Sequence, residues 1–349
     1  MALELIIFFI IAIVLSMMFD NTKHETTIYN CFGIFLIFYA CIVDKSALPD
    51  YFAYVSYFSN DYPFIEPSFL LIKWLVHTFF NSNVFYLFAI YIILGVSIKL
   101  FAFKKLTKLP ILTLAIYVSS YFVYHEMIQI RAGIASALLL LSIKPLYDRN
   151  FKDFILITIV ALLFHSSAII FFICWFINPL KKQRNLYISL LILSIAIYCL
   201  NLDLIKLISY LPIPLIQDKI ISYSDISIDS INRGVVTSAD YNPFCQWYII
   251  KLLITIYFWV IIDKILYVNK YAILLLKIYT IGISFLWLLA SSPTIATRCS
   301  ELLTIVQIVL IPLSVYYSRK KNIISYIPSI VISGAWIFWN YSSFLNYNL

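Results

Sequence analysis

The chain has 349 residues, of which 63% are hydrophobic and only 12% are charged, and its formal net charge is +8. A soluble domain carries about a quarter charged residues, so this composition excludes an ordinary soluble enzyme and indicates a membrane protein. Basic residues in the loops of a membrane protein set its orientation. The positive charge is therefore weak grounds for a nucleic-acid partner, and none is predicted.

Apolar segments follow one another along the whole chain, and several reach the ~20 residues that a helix needs to cross a bilayer. They are residues 3–19, 27–43, 84–103, 109–125, 129–146, 152–165, 167–178, 185–203, 244–266, 270–290, 296–317 and 322–344. The stretch 66–80 is shorter and carries Lys73 and His77, which favours an interfacial or re-entrant helix. The pattern predicts an all-α, polytopic integral membrane protein, a single transmembrane domain over residues 1–349 with about 11–12 transmembrane helices.

Orientation follows from the lysines and arginines between these segments. When the segments are threaded through a bilayer, the basic short loops all fall on one side, which the positive-inside rule makes the cytoplasm. Residues 152–178 have two interpretations, a hairpin of two short helices or one long span. One span would move Lys181, Lys182 and Arg184 outside, so the basic pattern favours a hairpin with His165 at its outer tip.

Two loops on the opposite, outer side are long. Residues 44–83 form an outer loop that contains the interfacial helix, and residues 204–243 form a large outer loop that would be periplasmic. Loops longer than about 12–15 residues in a compact protein are usually functional or disordered. Their aromatic content argues against plain disorder. Arg233 in the second loop is a candidate substrate-binding residue.

An arginine within the polar start of one apolar segment is the most informative residue. Arg131 follows Gln129, a second candidate contact, and its guanidinium cannot lose its proton. At membrane depth it must be paired or reach water. Arg131 and Arg298 both lie at predicted outer helix ends, where two planar guanidiniums suit a phosphate or pyrophosphate. The alternative is that each pairs with a nearby acid, Glu126 for Arg131 and Glu301 for Arg298.

Three groups on the same side offer acid–base chemistry. His165 titrates near neutral pH and suits a phosphate oxygen or a proton transfer. Asp50 is the first candidate general base for a sugar hydroxyl, and Glu66 is the second. The alternative is a hydrogen-bonded structural histidine and solvated loop acids. Tyr51 and Tyr54 offer faces on which sugar rings stack. No group has the spacing of metal ligands, so no metal site is predicted.

These motifs resemble those of a known family. They are Asp50-Tyr51-x-x-Tyr54, Glu66-Pro67 at a helix start, Gln129-Ile130-Arg131-Ala132-Gly133-Ile134-Ala135, Phe164-His165-Ser166-Ser167-Ala168, and Arg298 at the start of a late span. The pattern resembles the EpsG family of the Wzy-type polysaccharide polymerases over roughly residues 30–320. One departure is Ser166, where the family commonly has proline.

The resemblance implies a glycosyltransferase of the bacterial inner membrane with GT-C-like architecture and an active site on its outer face. Its substrates would be oligosaccharide repeat units carried by undecaprenyl pyrophosphate. The growing chain would be transferred to the non-reducing end of an incoming unit, for O-antigen, capsule or exopolysaccharide. Neither a cofactor, a nucleotide sugar nor a metal is implied. A chain-length regulator and a flippase are expected partners, beside membrane lipids.

Under this resemblance the charged residues divide into two roles. Arg131, with Arg298 and His165, would form a cationic clamp on the pyrophosphate that leaves when the glycosidic bond breaks. Asp50 or Glu66 would take the proton from the acceptor hydroxyl.

Two hypotheses compete with that of a polymerase. One is a non-catalytic assembly or lipid-binding membrane protein, which would tolerate loss of Arg131 better than an enzyme would. The other is a flippase or transporter of lipid-linked oligosaccharide. A transporter opens to both sides, so functional charges should be distributed through its depth, whereas the candidates here cluster outside. The exceptions are Lys73, Lys99, Lys251 and Lys277, which are interpreted as side chains that snorkel to the membrane surface.

Overall fold

The computed structural model describes residues 2–62, 65–209, 241–317 and 323–347, and within these ranges the regular structure is helical, without strands. The α-helices, numbered in chain order, are α1 (Ala2–Phe19), α2 (Glu25–Ile42), α3 (Tyr51–Ser59), α4 (Pro67–Phe79), α5 (Val84–Leu106), α6 (Pro110–Ser120), α7 (Ile130–Asp148), α8 (Phe151–Phe164), α9 (Phe171–Trp175), α10 (Arg184–Cys199), α11 (Leu204–Ser209), α12 (Gln246–Ile265), α13 (Ala272–Leu288), α14 (Pro293–Thr304), α15 (Gln307–Leu310) and α16 (Ile323–Tyr347). The all-α prediction is confirmed.

Four of the described helical stretches are long and apolar enough to cross a bilayer, namely Glu25–Ile42, Val84–Leu106, Ile130–Asp148 and Pro293–Tyr317. Shorter apolar helices accompany them, among them α1, α6, α10 and α13. Several spans in one chain define a polytopic membrane protein, as predicted. The expected total of about 11–12 spans stays a prediction.

The centre of the bundle is formed by α6, α7 and α13, whose residues are almost all buried. Helix α7 packs between α5 and α8, and α13 packs against α10 and α14. The outer helices expose large apolar side chains, such as Phe38 on α2, Leu156 on α8 and Ile192 on α10. Such surfaces suit lipid, which does not penalise exposed apolar groups as water does.

The segment 152–178 is a hairpin. Arg149, just before α8, donates hydrogen bonds to the backbone oxygens of Trp175, the last residue of α9, and of Ile177, just after it. The Trp175 ring also packs against Phe151, with centroids 5.0 Å apart. The chain therefore returns to the end where it began, and His165 lies at the turn between α8 and the 3-10 helix Ser166–Ile170.

Two predicted segments are interrupted, and two helices that the sequence does not predict, α3 and α11, lie in the long loops. The segment 109–125 ends as α6 at Ser120, and a π-helical turn, Tyr124–Ile128, separates it from α7. The segment 296–317 is divided into α14, α15 and the 3-10 helix Ile311–Tyr317. Helix α3 lies in the first long loop. Hydropathy reports apolarity, whereas interruptions depend on tertiary contacts that it does not register.

The interpretation of three lysines as snorkelling side chains is wrong. Lys99, Lys251 and Lys277 are 0%, 3% and 0% exposed. Lys99 pairs with Glu126, and Lys277 donates to the backbone oxygen of Asn178 at 2.8 Å. The Lys251 ammonium lies among aromatic rings on α12 and α16. Each charge is held by polar or π partners inside the protein.

Candidate functional site

The site begins with Glu66, which immediately precedes α4. Pro67 at the first helical position fixes the start of that helix, because its ring presets φ and it has no amide hydrogen to leave unpaired. The Glu66 side chain does not cap its own helix and is only 8% exposed. A buried carboxylate requires partners, and two other segments of the chain supply them.

The first partner is Arg131 in the first turn of α7. Its Nη1 donates a hydrogen bond to Glu66 Oε2. Three rings surround the guanidinium, with its carbon 5.4, 5.6 and 6.0 Å from the centroids of Tyr54, Tyr57 and Phe69. The side chain is 19% exposed, and Nε has no hydrogen-bond partner among the described residues. One edge of the guanidinium is thus used by Glu66, while the Nε edge retains an unused donor.

The second partner is His165 at the tip of the α8–α9 hairpin. Its Nδ1 lies 3.5 Å from Glu66 Oε1, and the side chain is buried. The Ser166 amide approaches the same oxygen at 3.5 Å, which is long for a hydrogen bond. Burial opposes ionisation of Glu66, but the His165 side chain and the Arg131 charge outweigh burial and lower the pKa of Glu66 to about 2.

Asp50 precedes α3 in a different conformation. Its backbone is left-handed, with φ 65° and ψ −12°, which few non-glycine residues adopt, and its side chain does not cap α3. The residue is exposed. Desolvation by the surrounding atoms nevertheless raises its pKa, against the opposing charges of Arg298 and Arg131. Asp50 is therefore an exposed residue whose carboxylate is partly surrounded by protein atoms.

The remaining candidates are placed as follows. Arg298 on α14 is partly buried, and its charge acts on both Asp50 and His165. Gln129 donates to the Tyr124 hydroxyl at 2.9 Å. Tyr51 is partly buried and stacks one face on Phe88, with centroids 5.3 Å apart. Arg233 and most of the loop 204–243 lie outside the described residues.

The acid that pairs with Arg131 is not the one nearest in sequence. The expected alternative partner, Glu126, is 1% exposed and lies 2.5 Å from Lys99 Nζ. Tyr54, considered for sugar stacking, is 4% exposed and lies against the Arg131 guanidinium. The ring contacts from Tyr57 and Phe69 were not predicted. Tyr57 lies three residues after Tyr54, and Phe69 lies three residues after Glu66. Residues three apart on a helix share a face, so a prediction of helices over 51–59 and 67–79 places each ring beside the identified residue.

The arrangement brings charged groups from five separate chain segments to one region. In the part of the chain that the structure describes, no group of three or more His, Cys, Asp and Glu side chains has the geometry to hold a metal ion. What the region offers is a fixed and partly exposed guanidinium, a second arginine, and a carboxylate on an exposed residue. Such a set can bind an oxyanion and accept a proton beside it.

The fold defines the class of this protein. It is a helical, polytopic membrane protein with a polar site where its helices are interrupted. The sequence pattern of the EpsG family matches residues 28–349. The chain therefore belongs to the EpsG family. It is also 27% identical over 167 residues to the amylovoran biosynthesis protein AmsC of Erwinia amylovora, a match that spans 47% of this chain and 44% of that relative. No solved structure matches the chain.

Proposed function

We propose that this protein is a polysaccharide polymerase of the bacterial inner membrane. It transfers a growing glycan from undecaprenyl pyrophosphate to the non-reducing end of a lipid-linked repeat unit on the outer face. Family membership supports this proposal, as does the similarity to an amylovoran biosynthesis protein. The structural observation that carries it is the guanidinium of Arg131, which Glu66 anchors and which remains partly exposed.

The leaving group determines the role of the cations. As the bond between the anomeric carbon and the pyrophosphate oxygen breaks, negative charge develops on that oxygen. A donor fixed in a partly desolvated site stabilises this charge without reorganising. Glu66 holds Nη1 of Arg131, and the exposed part of the same guanidinium would face the oxyanion. Arg298 adds a second positive charge to the same region.

The acceptor hydroxyl must lose its proton as its oxygen attacks the anomeric carbon. Glu66 is a poor base, because its pair with Arg131 and the nearby His165 hold its pKa at about 2. Asp50 is exposed, and its pKa is raised, so it binds a proton more readily. We assign Asp50 as the base, Glu66 as the anchor of Arg131, and His165 as a further contact to the pyrophosphate.

Substrate recognition involves the residues around this centre. Tyr51, which is partly buried against Phe88, is proposed to contact a sugar ring, and Gln129 is proposed to contact the substrate beside Arg131. Arg233 and the loop 204–243 are proposed to read the repeat unit. The polyprenyl chain would enter laterally from the bilayer between apolar helices. A chain-length regulator and a flippase would act with the polymerase, and neither a cofactor nor a metal takes part in the proposed step.

The test is a gel of surface glycan from a strain deleted for this gene and complemented with wild type, Arg131→Ala or Arg184→Ala. Arg184 is an exposed arginine at the start of α10, so it controls for loss of a positive charge. We expect single capped repeat units after deletion and a ladder with wild type and Arg184→Ala but not with Arg131→Ala, at equal membrane expression. If deletion instead traps lipid-linked units inside the cell, the protein is a flippase and the proposal fails.

A further inference from the structure

A fully buried ion pair lies behind the segment that carries Arg131. Lys99 Nζ on α5 is 2.5 Å from Glu126 Oε1 in the π-helical turn, and the two side chains are 0% and 1% exposed. The Tyr117 hydroxyl on α6 donates to the same Oε1 at 2.7 Å. Desolvation offsets most of the attraction in such a pair, and apolar side chains of similar size often pack as well. Stability alone therefore gives a weak reason for charges here.

Lys99 also binds beyond its ion pair. Its Nζ donates to the backbone oxygen of Gly133 at 2.8 Å. Glu126 precedes Arg131 and Gly133 follows it, so one ammonium group holds both sides of the segment from which Arg131 projects. The Gly133 amide in turn donates to the backbone oxygen of Gln129 at 2.8 Å. The start of α7 is thus tied to α5 through two contacts to Lys99.

Two glycines limit the freedom of this arrangement further. A Cβ on Gly95 of α5 would lie 2.5 Å from Glu126 Oε2, so the carboxylate occupies the space that the missing side chain leaves. A Cβ on Gly133 would collide with the backbone oxygen of His125 in the π-helical turn. These close approaches fix the turn against α5 and α7, because close-packed interiors leave little room for adjustment.

We propose that Lys99 and Glu126 are positioning residues that hold the Arg131 guanidinium against Glu66 and toward the leaving pyrophosphate. This inference rests on the proposed polymerase function. Neither side chain touches the substrate, since both are buried and the Lys99 ammonium and Glu126 Oε1 are used by Tyr117, Gly133 and each other. Their effect acts through the direction of Arg131. A guanidinium displaced from the leaving oxygen stabilises the transition state less, while binding of the remaining substrate is retained.

The test replaces both charges together, because a single replacement strands the other charge inside the protein and risks misfolding. The variant is Lys99→Met with Glu126→Gln, purified in nanodiscs beside wild type and assayed for polymerisation of a lipid-linked repeat unit. We expect a melting temperature near that of wild type and a kcat lower by about tenfold or more, with KM changed by less than about threefold. A kcat equal to that of wild type would overturn the inference.

A matched control is Lys277→Met, which removes another buried lysine. Lys277 binds Asn178 and Gln183 in the loop after α9, at the end of the hairpin away from His165. We expect this variant to change stability without a selective loss of kcat. An equal selective loss would show that any buried lysine has this effect, which contradicts a positioning role for Lys99.

Gly95→Ala provides a second route if the double variant does not accumulate. It keeps every polar partner but forces the Glu126 carboxylate to move, and we expect a selective loss of kcat. Gly95→Ala with wild-type kcat would overturn the inference in that case. Absence of polymerisation by wild type itself would instead refute the proposed function, so the two failures are distinguishable.

Discussion

Replacement of Glu66 by glutamine distinguishes the role proposed for Glu66, which anchors Arg131, from the role proposed for Asp50, which is that of the base. Glutamine keeps the size of the side chain but removes its negative charge. The Arg131 guanidinium then remains in its ring cage without a compensating anion. We expect Glu66→Gln to lose stability first and activity as a consequence. Asp50→Asn should keep stability and lose activity, because Asp50 is exposed and its side chain does not cap α3.

The magnitude follows from the pKa of Glu66. A decrease from 4.5 to about 2 corresponds to about 3 kcal/mol of preferential stabilisation of the ionised carboxylate in the folded protein. Solvent screens little of this interaction, since Glu66 is only 8% exposed. Because the folded-state pKa is depressed, the stabilisation is complete above the ordinary value and is lost as pH falls through about 2. Glu66→Gln should therefore lower stability by a few kcal/mol at neutral pH.

The assay is thermal unfolding of the detergent-solubilised protein near neutral pH, followed by tryptophan fluorescence. Glu66→Gln should melt several degrees below wild type, while Asp50→Asn should melt with wild type. Asp61→Asn is the control. It also removes an acid from an ion pair, with Lys73, but the Asp61 carboxylate is fully solvated, and such a pair contributes little to stability. If Glu66→Gln and Asp61→Asn melt at the same temperature as wild type, the Arg131 pair does not have the stabilising role that its geometry indicates.

Three further predictions concern the reaction and its location. Arg131→Lys should lose most of the polymer ladder because lysine lacks the planar fork; wild-type polymer length on a surface-glycan gel would refute the clamp. The rate of polymer formation should fall with decreasing pH through a pH above the usual aspartate range, because protonated Asp50 accepts no proton. Asp50→Glu should shift the pH at which the rate falls, and an unchanged pH would assign this titration to another group. A cysteine at Ser166 should react with an impermeant maleimide in intact spheroplasts; labelling only after lysis would place the hairpin tip inside.

The sequence predicts the uninterrupted helices well and the interrupted ones poorly. The segment 27–43 corresponds to Glu25–Ile42, and 84–103 corresponds to Val84–Leu106. A long apolar run in a bilayer has one favourable backbone conformation, so composition suffices to find it. The π-helical turn before α7 and the pieces of the last third of the chain depend on tertiary contacts. One such contact is that of Gly133 with the His125 backbone, which hydropathy does not register.

The pairing of charges shows the same limit at the site. Proximity in sequence suggests Glu126 as the partner of Arg131, but Glu126 pairs with Lys99 on α5. The true partner, Glu66, lies 65 positions away along the chain. A choice between two acids for one arginine depends on the packing of α4, α5 and α7. A single sequence contains no direct record of that packing, although it does identify all the participants as polar exceptions in apolar surroundings.

The candidate residues share a feature that explains why a membrane protein places them where it does. Asp50, Glu66 and His165 each occupy a position at which a helix begins or ends, Arg131 follows the π-helical turn, and Arg298 lies on the short helix α14. Helix ends leave backbone donors and acceptors without intrahelical partners, and lipid does not satisfy them. These ends must therefore meet other polar groups or water. Collecting the helix ends of several segments in one region satisfies the backbone and provides a polar region in which charged side chains are tolerated. A reaction with a charged leaving group requires such a region, and the interruptions of the helices supply it.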